Sequence, residues 1–188
     1  MTLPPLGAVL AGGAATRIGG AKAAVELDGK PLIAYPLRAL ASAQLEAIVV
    51  AKADSSLPPL DTLVITEPDE PRHPLAGVIA AMKHAGARPV LVLPCDAPFL
   101  SLMLLRVLAS ATSTTAVRSG GRTHPLIALY TPEHLSRLEQ ATNDGQSATQ
   151  ALESLDSDYI EAPDRETFNI NTPEDLAKAE ELLKRPQS

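Results

Sequence analysis

One cysteine, Cys95, occurs in the 188 residues. A single thiol excludes an internal disulfide framework and any zinc site built on several cysteines. Tryptophan is absent and aromatics make up 3% of the chain, so the core must come from Ala, Leu, Val and Ile. Basic residues are also short, 16 against 22 acidic ones for a net charge of −6. Nucleic acid as the main partner is therefore not expected, because that footprint shows as clustered excess Lys and Arg. No apolar run approaches the roughly 18 residues of a membrane span, and the first five residues carry no basic leader. The expectation is a cytoplasmic protein with no membrane contact. The length suits one domain.

What is present is apolar material arranged in alternation. Hydrophobic residues make up 45% and charged ones 20%, enough for a core and too little charge for wholesale disorder. Short β-branched runs predict buried strands at 6–10, 47–51, 62–66 and 89–93. Helices are expected between them at 31–43, with Pro31 at its start, and at 74–86, where Leu75, Val78, Ile79 and Met82 repeat on one face. Such alternation implies a parallel sheet covered on both faces. After about residue 110 the pattern changes. Residues 115–118 and 125–130 flank Gly120-Gly121-Arg122 and predict an antiparallel pair. Helices follow near 132–142 and 147–155. A last helix begins at Thr172-Pro173-Glu174-Asp175, with a hydroxyl cap, proline at the first position and acids in the first turn.

Three segments carry chemistry. The first follows the first strand: Leu10-Ala11-Gly12-Gly13-Ala14-Ala15-Thr16-Arg17-Ile18-Gly19-Gly20-Ala21-Lys22. Its glycines let backbone amides approach phosphate oxygens, and Arg17 and Lys22 add fixed positive charge. Neither G-x-x-x-x-G-K-[ST] nor G-x-G-x-x-G fits the spacing. A plain glycine turn would leave Arg17 and Lys22 unexplained.

The second is Leu93-Pro94-Cys95-Asp96-Ala97-Pro98-Phe99, at the carboxyl end of the fourth strand, where open α/β sheets bind ligands. Asp96 there suits Mg²⁺ on a nucleotide's phosphates, or caps a turn between two prolines. Cys95 reads as a small buried hydrophobe. The third is Phe168-Asn169-Ile170-Asn171-Thr172-Pro173. Asn169 and Asn171 alternate along an extended segment, so both amides face one side as oxygen ligands or ribose contacts, or serve only the helix entry. The four histidines, His73, His84, His124 and His134, show no metal-ligand spacing. His73 stands ahead of the 74–86 helix, whose N-terminus suits an anion. Arg122 and His124 suit a second, anionic substrate. No Ser/His/Asp set occurs.

In this order the motifs resemble the nucleotidyltransferases that join a nucleoside monophosphate to a phosphorylated acceptor. The sequence is most similar to molybdenum cofactor guanylyltransferases, through LAGG-x₃-R-x-GG-x-K at 10–22, PLAG at 74–77, LPCDAPFL at 93–100 and NINTPEDL at 169–176. The resemblance implies a Rossmann-like three-layer α/β/α fold of the nucleotide-diphospho-sugar transferase type, mostly parallel with a small antiparallel element. It implies a nucleotide part at about 1–110, an acceptor part at about 111–172 and a C-terminal helix at 173–184. GTP and molybdopterin are the implied substrates, Mg²⁺ the implied cofactor, with transient contact to enzymes that make or receive the cofactor. LAGG rather than LAAG favours GTP over CTP.

Carried over by motif, Leu10, Ala11, Gly12 and Gly13 meet guanine and ribose. Lys22 and Arg17 meet the phosphates, Asp96 holds Mg²⁺, and Asn169 and Asn171 stand at the metal and acceptor end. The carboxylate that contacts guanine is matched best by Asp69, with Glu67 as the alternative. One departure is Ala21, where the family usually places an acid before the lysine. The rival readings are a cytidylyltransferase for the same pterin, a sugar-1-phosphate nucleotidylyltransferase, and a non-enzymatic nucleotide-binding module.

Overall fold

The computed structural model describes residues 3–12, 22–70 and 73–184. Four runs of branched and aliphatic residues form parallel strands: β1 (Leu6–Leu10), β4 (Ala47–Ala51), β5 (Leu63–Thr66) and β6 (Val90–Pro94). Three more complete the sheet: β7 (Thr115–Ser119), β8 (Arg122–Tyr130) and β9 (Asp158–Glu161). Their order is β5-β4-β1-β6-β8-β7-β9. Only β8 runs against the others, pairing antiparallel with both β6 and β7, while β9 pairs parallel with β7. The expected α/β architecture with a mostly parallel sheet is therefore present, its antiparallel element being this one reversed strand.

Alternation along each strand divides the core between two faces. Leu6 and Ala8 of β1, Ile48 and Val50 of β4, and Val90 and Val92 of β6 face one layer. That layer holds α2 (Ala76–Ala85), α4 (Leu135–Asn143) and α5 (Ala148–Glu153). Val9, Val49, Leu91 and Leu93 face the other, under α1 (Ala34–Ser42) and α3 (Leu102–Ala109). Each fully buried Leu or Val side chain contributes about 1.5–3 kcal/mol of transfer free energy. A third, smaller cluster of Leu27, Leu32, Ile170 and Ala179 docks α6 (Pro173–Lys184) onto the hairpin of β2 (Glu26–Leu27) and β3 (Lys30–Pro31). No helix among the described residues is long and apolar enough to cross a membrane.

Several boundaries differ from the sequence expectation for identifiable reasons. The helix expected from 31 begins at Ala34, because Pro31 pairs with Glu26 in the β2–β3 ladder. Asp28 and Gly29 both take positive φ, 52° and 69°, which suits a two-residue hairpin turn. Helix α3 is not among the sequence expectations, although its run Leu-Met-Leu-Leu-Arg-Val-Leu-Ala buries Leu104, Leu105 and Leu108 on one face and exposes Met103, Arg106 and Val107 on the other. Ser101 starts it, accepting a hydrogen bond from the Leu104 N–H at 3.1 Å. Strand β9 is not announced either, since its ends are exposed and its middle only half-buried.

Candidate active site

Backbone hydrogen bonds continue the parallel pairing one residue past the strands. Ala11 N–H donates to Val50 O at 2.8 Å, Cys95 N–H to Leu10 O at 3.0 Å, and Glu67 N–H to Ala51 O at 2.9 Å. This register sets Asp96, Gly12, Lys52 and Glu67 in one row across the carboxyl ends of β6, β1, β4 and β5. Charged residues thus flank Gly12 in a row at the strand ends, where such sheets bind ligands.

At one end, Asp96 is 6% exposed and its carboxylate takes an ion pair from the Lys22 ammonium. Lys22 opens a short 3-10 turn, Lys22–Ala24, that buries Ala23. The same ammonium donates to Asn171 Oδ1 at 2.5 Å. The 169–171 segment is locked beside Asp96, whose carbonyl accepts from Ile170 N–H at 3.0 Å. Asp175 then holds the turn into α6, with Oδ2 accepting from the N–H groups of Asn171 and Thr172 at 3.0 Å each. Thr172 Oγ1 accepts from Asp175 N–H at 3.1 Å in return. The structure thus brings together Lys22, Asp96 and Asn171. Asn169 Oδ1 is buried and lacks a hydrogen-bond partner among the described residues.

At the other end lies Glu67, 8% exposed. A Cβ placed on Gly12 would collide with Glu67 Oε1, and one on Gly77 would stand 2.6 Å from Oε2. Both glycines therefore make room for this one carboxylate, Gly77 from the first turn of α2. Burial pushes the Glu67 carboxyl above its usual range; the Lys52 ammonium opposes the rise and Asp69 adds to it. Asp69 itself is exposed, with its backbone carbonyl accepting from Lys52 Nζ at 3.2 Å.

Cys95, between β6 and Asp96, is buried and its thiol is pushed up to about 12, chiefly by burial and then by Asp96. It is a core thiol, not a nucleophile. His73 accepts Leu75 N–H on Nδ1 at 3.1 Å, which leaves Nε2–H to donate to Gln146 O at 2.6 Å. His134 contacts Thr114, and His84 is exposed. No three His, Cys, Asp or Glu side chains cluster as a metal site among the described residues. Gly13 and Arg17 lie outside the described residues.

The β7–β8 pair carries the remaining candidates. Arg122 is exposed at the start of β8. His124 is half-buried, with Nε2 2.9 Å from Ser119 Oγ, which lies 2.6 Å from Thr167 Oγ1. Burial pushes the His124 pKa down, the Arg122 cation adds to the fall and Asp164 opposes it. This chain ties the hairpin to the segment that continues to Asn169. Sequence reasoning singled out neither Ser119 and Thr167 nor Lys52, and reached Gly77 only as part of PLAG, without a role for it. A lone lysine after a strand carries no signal.

A family model described as "MobA-like NTP transferase domain" matches residues 7–159. The chain belongs to the MobA-like NTP transferase family. It is 36% identical over 193 residues to a molybdenum cofactor guanylyltransferase of Pseudomonas aeruginosa, covering 96% of this chain and 97% of that one. Among solved structures it is similar to molybdopterin-guanine dinucleotide biosynthesis protein A from Archaeoglobus fulgidus. That likeness has a TM-score of 0.78 and 27% identity, and covers 95% and 98% of the two chains. The fold is shared with 2-C-methyl-D-erythritol 4-phosphate cytidylyltransferase from Thermus thermophilus, at a TM-score of 0.70 and 18% identity, covering 98% of this chain and 100% of that one. The chain is a nucleotidyltransferase of this fold.

Proposed function

We propose that the protein transfers GMP from GTP to the terminal phosphate of the molybdopterin-bound molybdenum cofactor, releasing pyrophosphate and forming the guanine dinucleotide. The observation that carries the reading is the buried Glu67 carboxylate, seated against two glycines at the far end of the row from Asp96. A carboxylate offers two acceptors to the N1–H and N2–H groups of guanine. Cytosine presents a single amino donor there beside two adjacent acceptors, so it leaves a buried acceptor unpaired. Glu67, in preference to the exposed Asp69, is the base-reading group, with Leu10, Ala11 and Gly12 against the base and ribose.

The oxygen donors at the Asp96 end fit a divalent cation such as Mg²⁺, which takes one or two carboxylates and fills its shell with water and phosphate. Asp96 is the carboxylate that would hold it, with the Asn169 oxygen, unpaired among the described residues, on the same short segment as Asn171. When bound, such a cation neutralises charge developing on the α-phosphate and the departing pyrophosphate. Lys22 has a flexible stem whose ammonium serves the triphosphate over Gly12. Arg17, five residues before Lys22 in the sequence, adds positive charge. The acceptor phosphate is already anionic at neutral pH, so it attacks without a general base, and alignment and charge neutralisation do the rest. Arg122 and His124 face the acceptor. The reaction belongs to the cytoplasm.

The test is incubation of the purified protein with α-labelled GTP, Mg²⁺ and molybdenum cofactor. Labelled guanine dinucleotide with equimolar pyrophosphate is expected. Transfer from CTP in preference to GTP, or onto a sugar phosphate instead, would contradict the reading.

A further inference from the structure

Lys52 stands in the row between Gly12 and Glu67. Its backbone is pinned from both sides: its N–H donates to Ser55 Oγ at 3.1 Å, and its carbonyl accepts from Ser55 N–H at 3.1 Å. Register pairs it with Glu67 across adjacent parallel strands, so the two side chains leave the sheet on one face. The ammonium is tethered too, donating to the Asp69 carbonyl at 3.2 Å. Among the described residues one of its three donors is thereby used and two remain. Its positive charge also acts on Glu67. A fixed backbone and a tethered head leave less conformational freedom to lose when a ligand binds.

We propose that Lys52 is a specificity-determining residue for the nucleotide base, its ammonium donating to the position-6 oxygen of guanine beside the Glu67 carboxylate. The inference rests on the assignment of Glu67 as the base-reading group. Read along its pairing edge, guanine presents two donors and then the O6 acceptor, and Glu67 with Lys52 presents two acceptors and then a donor. Adenine and cytosine carry an amino group at the equivalent exocyclic position. There an ammonium meets a donor, so the same residue that accepts guanine repels them. Position 52 thus adds discrimination by an unfavourable contact as well as by a favourable one.

The experiment is calorimetric titration of wild-type, Lys52→Met, Lys52→Gln and Glu67→Gln proteins with GTP and with 6-thio-GTP. The thio analogue keeps N1–H and the amino group but offers only a weak acceptor at position 6. Loss of about tenfold in GTP affinity is expected for both Lys52 variants, the scale of one hydrogen bond to a charged group. Their affinity for 6-thio-GTP should stay within about twofold of wild type on that same scale. Equal losses for both nucleotides would show that Lys52 only tethers the Asp69 segment, and would overturn the proposal. So would unchanged affinity for both. Glu67→Gln should weaken both nucleotides. If it weakens neither, the base reading at Glu67 fails and the Lys52 proposal falls with it. If it weakens both while Lys52→Met weakens neither, only the Lys52 proposal fails. Melting curves of each variant confirm the folded state.

Discussion

The two halves of the sheet hold their polar groups in different ways. In the parallel half, β5-β4-β1-β6, charged side chains stand in one row at the strand ends, and the Glu67 carboxylate reaches back against Gly12. In the half built on the reversed strand, β8-β7-β9, the polar groups form a chain of neutral donors and acceptors, His124 to Ser119 to Thr167. The first arrangement suits a ligand with fixed charge and a flat base, because its charges are set by backbone register. The second suits a contact that adjusts, since hydroxyls rotate and an imidazole exchanges roles. Substitutions in one half should therefore move nucleotide terms, and substitutions in the other acceptor terms.

The largest effect is expected at Asp96. Asp96→Ala should cut turnover by at least about a hundredfold, the scale of losing one electrostatic stabiliser. Near-normal steady-state turnover in the folded variant would break the assignment of metal and phosphates to this end of the row. Gly12→Ala comes next. Its methyl would land on the Glu67 carboxylate, so GTP affinity should fall about tenfold or more, while the KM for the acceptor is unchanged. One displaced charge-assisted contact is worth that much. Normal GTP binding by the Gly12→Ala protein would mean the base does not lie there.

His124→Gln should reverse the pattern, raising the acceptor KM severalfold and leaving GTP affinity alone. If GTP affinity fell instead, the division between the halves would be wrong. The same residue gives the smallest effect, in stability. Burial, joined by Arg122, holds the folded His124 pKa below the unfolded value. The folded state therefore binds fewer protons there, and stability is lost as pH falls below the unfolded histidine range of about 6.5. His124→Gln should narrow the difference in melting temperature between about pH 7.5 and about pH 5.5, on either side of that range. A difference as wide as wild type would place the acid sensitivity elsewhere.

Much of the parallel half was legible from the residues alone. Strands β1 and β4 fall where the apolar runs at 6–10 and 47–51 place them, because both faces of a covered parallel strand are buried and its run is continuous. Lys22 and Asp96 both stand in motifs visible in the sequence, and the structure pairs them. The choice between Glu67 and Asp69 was not. Two carboxylates one proline apart differ only in where β5 stops, and that depends on pairing to β4, which the linear order does not display. Lys52 was hidden for the same reason: it gains meaning only from neighbours on other strands. The hairpin half was legible as an antiparallel pair. Its link through Ser119 to Thr167 joins residues 48 apart in the chain, and no local pattern announces it.

On the proposed function, the row from Asp96 to Glu67 binds a guanine nucleotide. The most direct test is calorimetric titration of the wild-type protein with GTP, CTP, ATP and UTP, each with and without Mg²⁺. GTP should bind tightest, and its affinity should rise with Mg²⁺. A clear preference for another nucleotide, or no binding of any of the four, would contradict it.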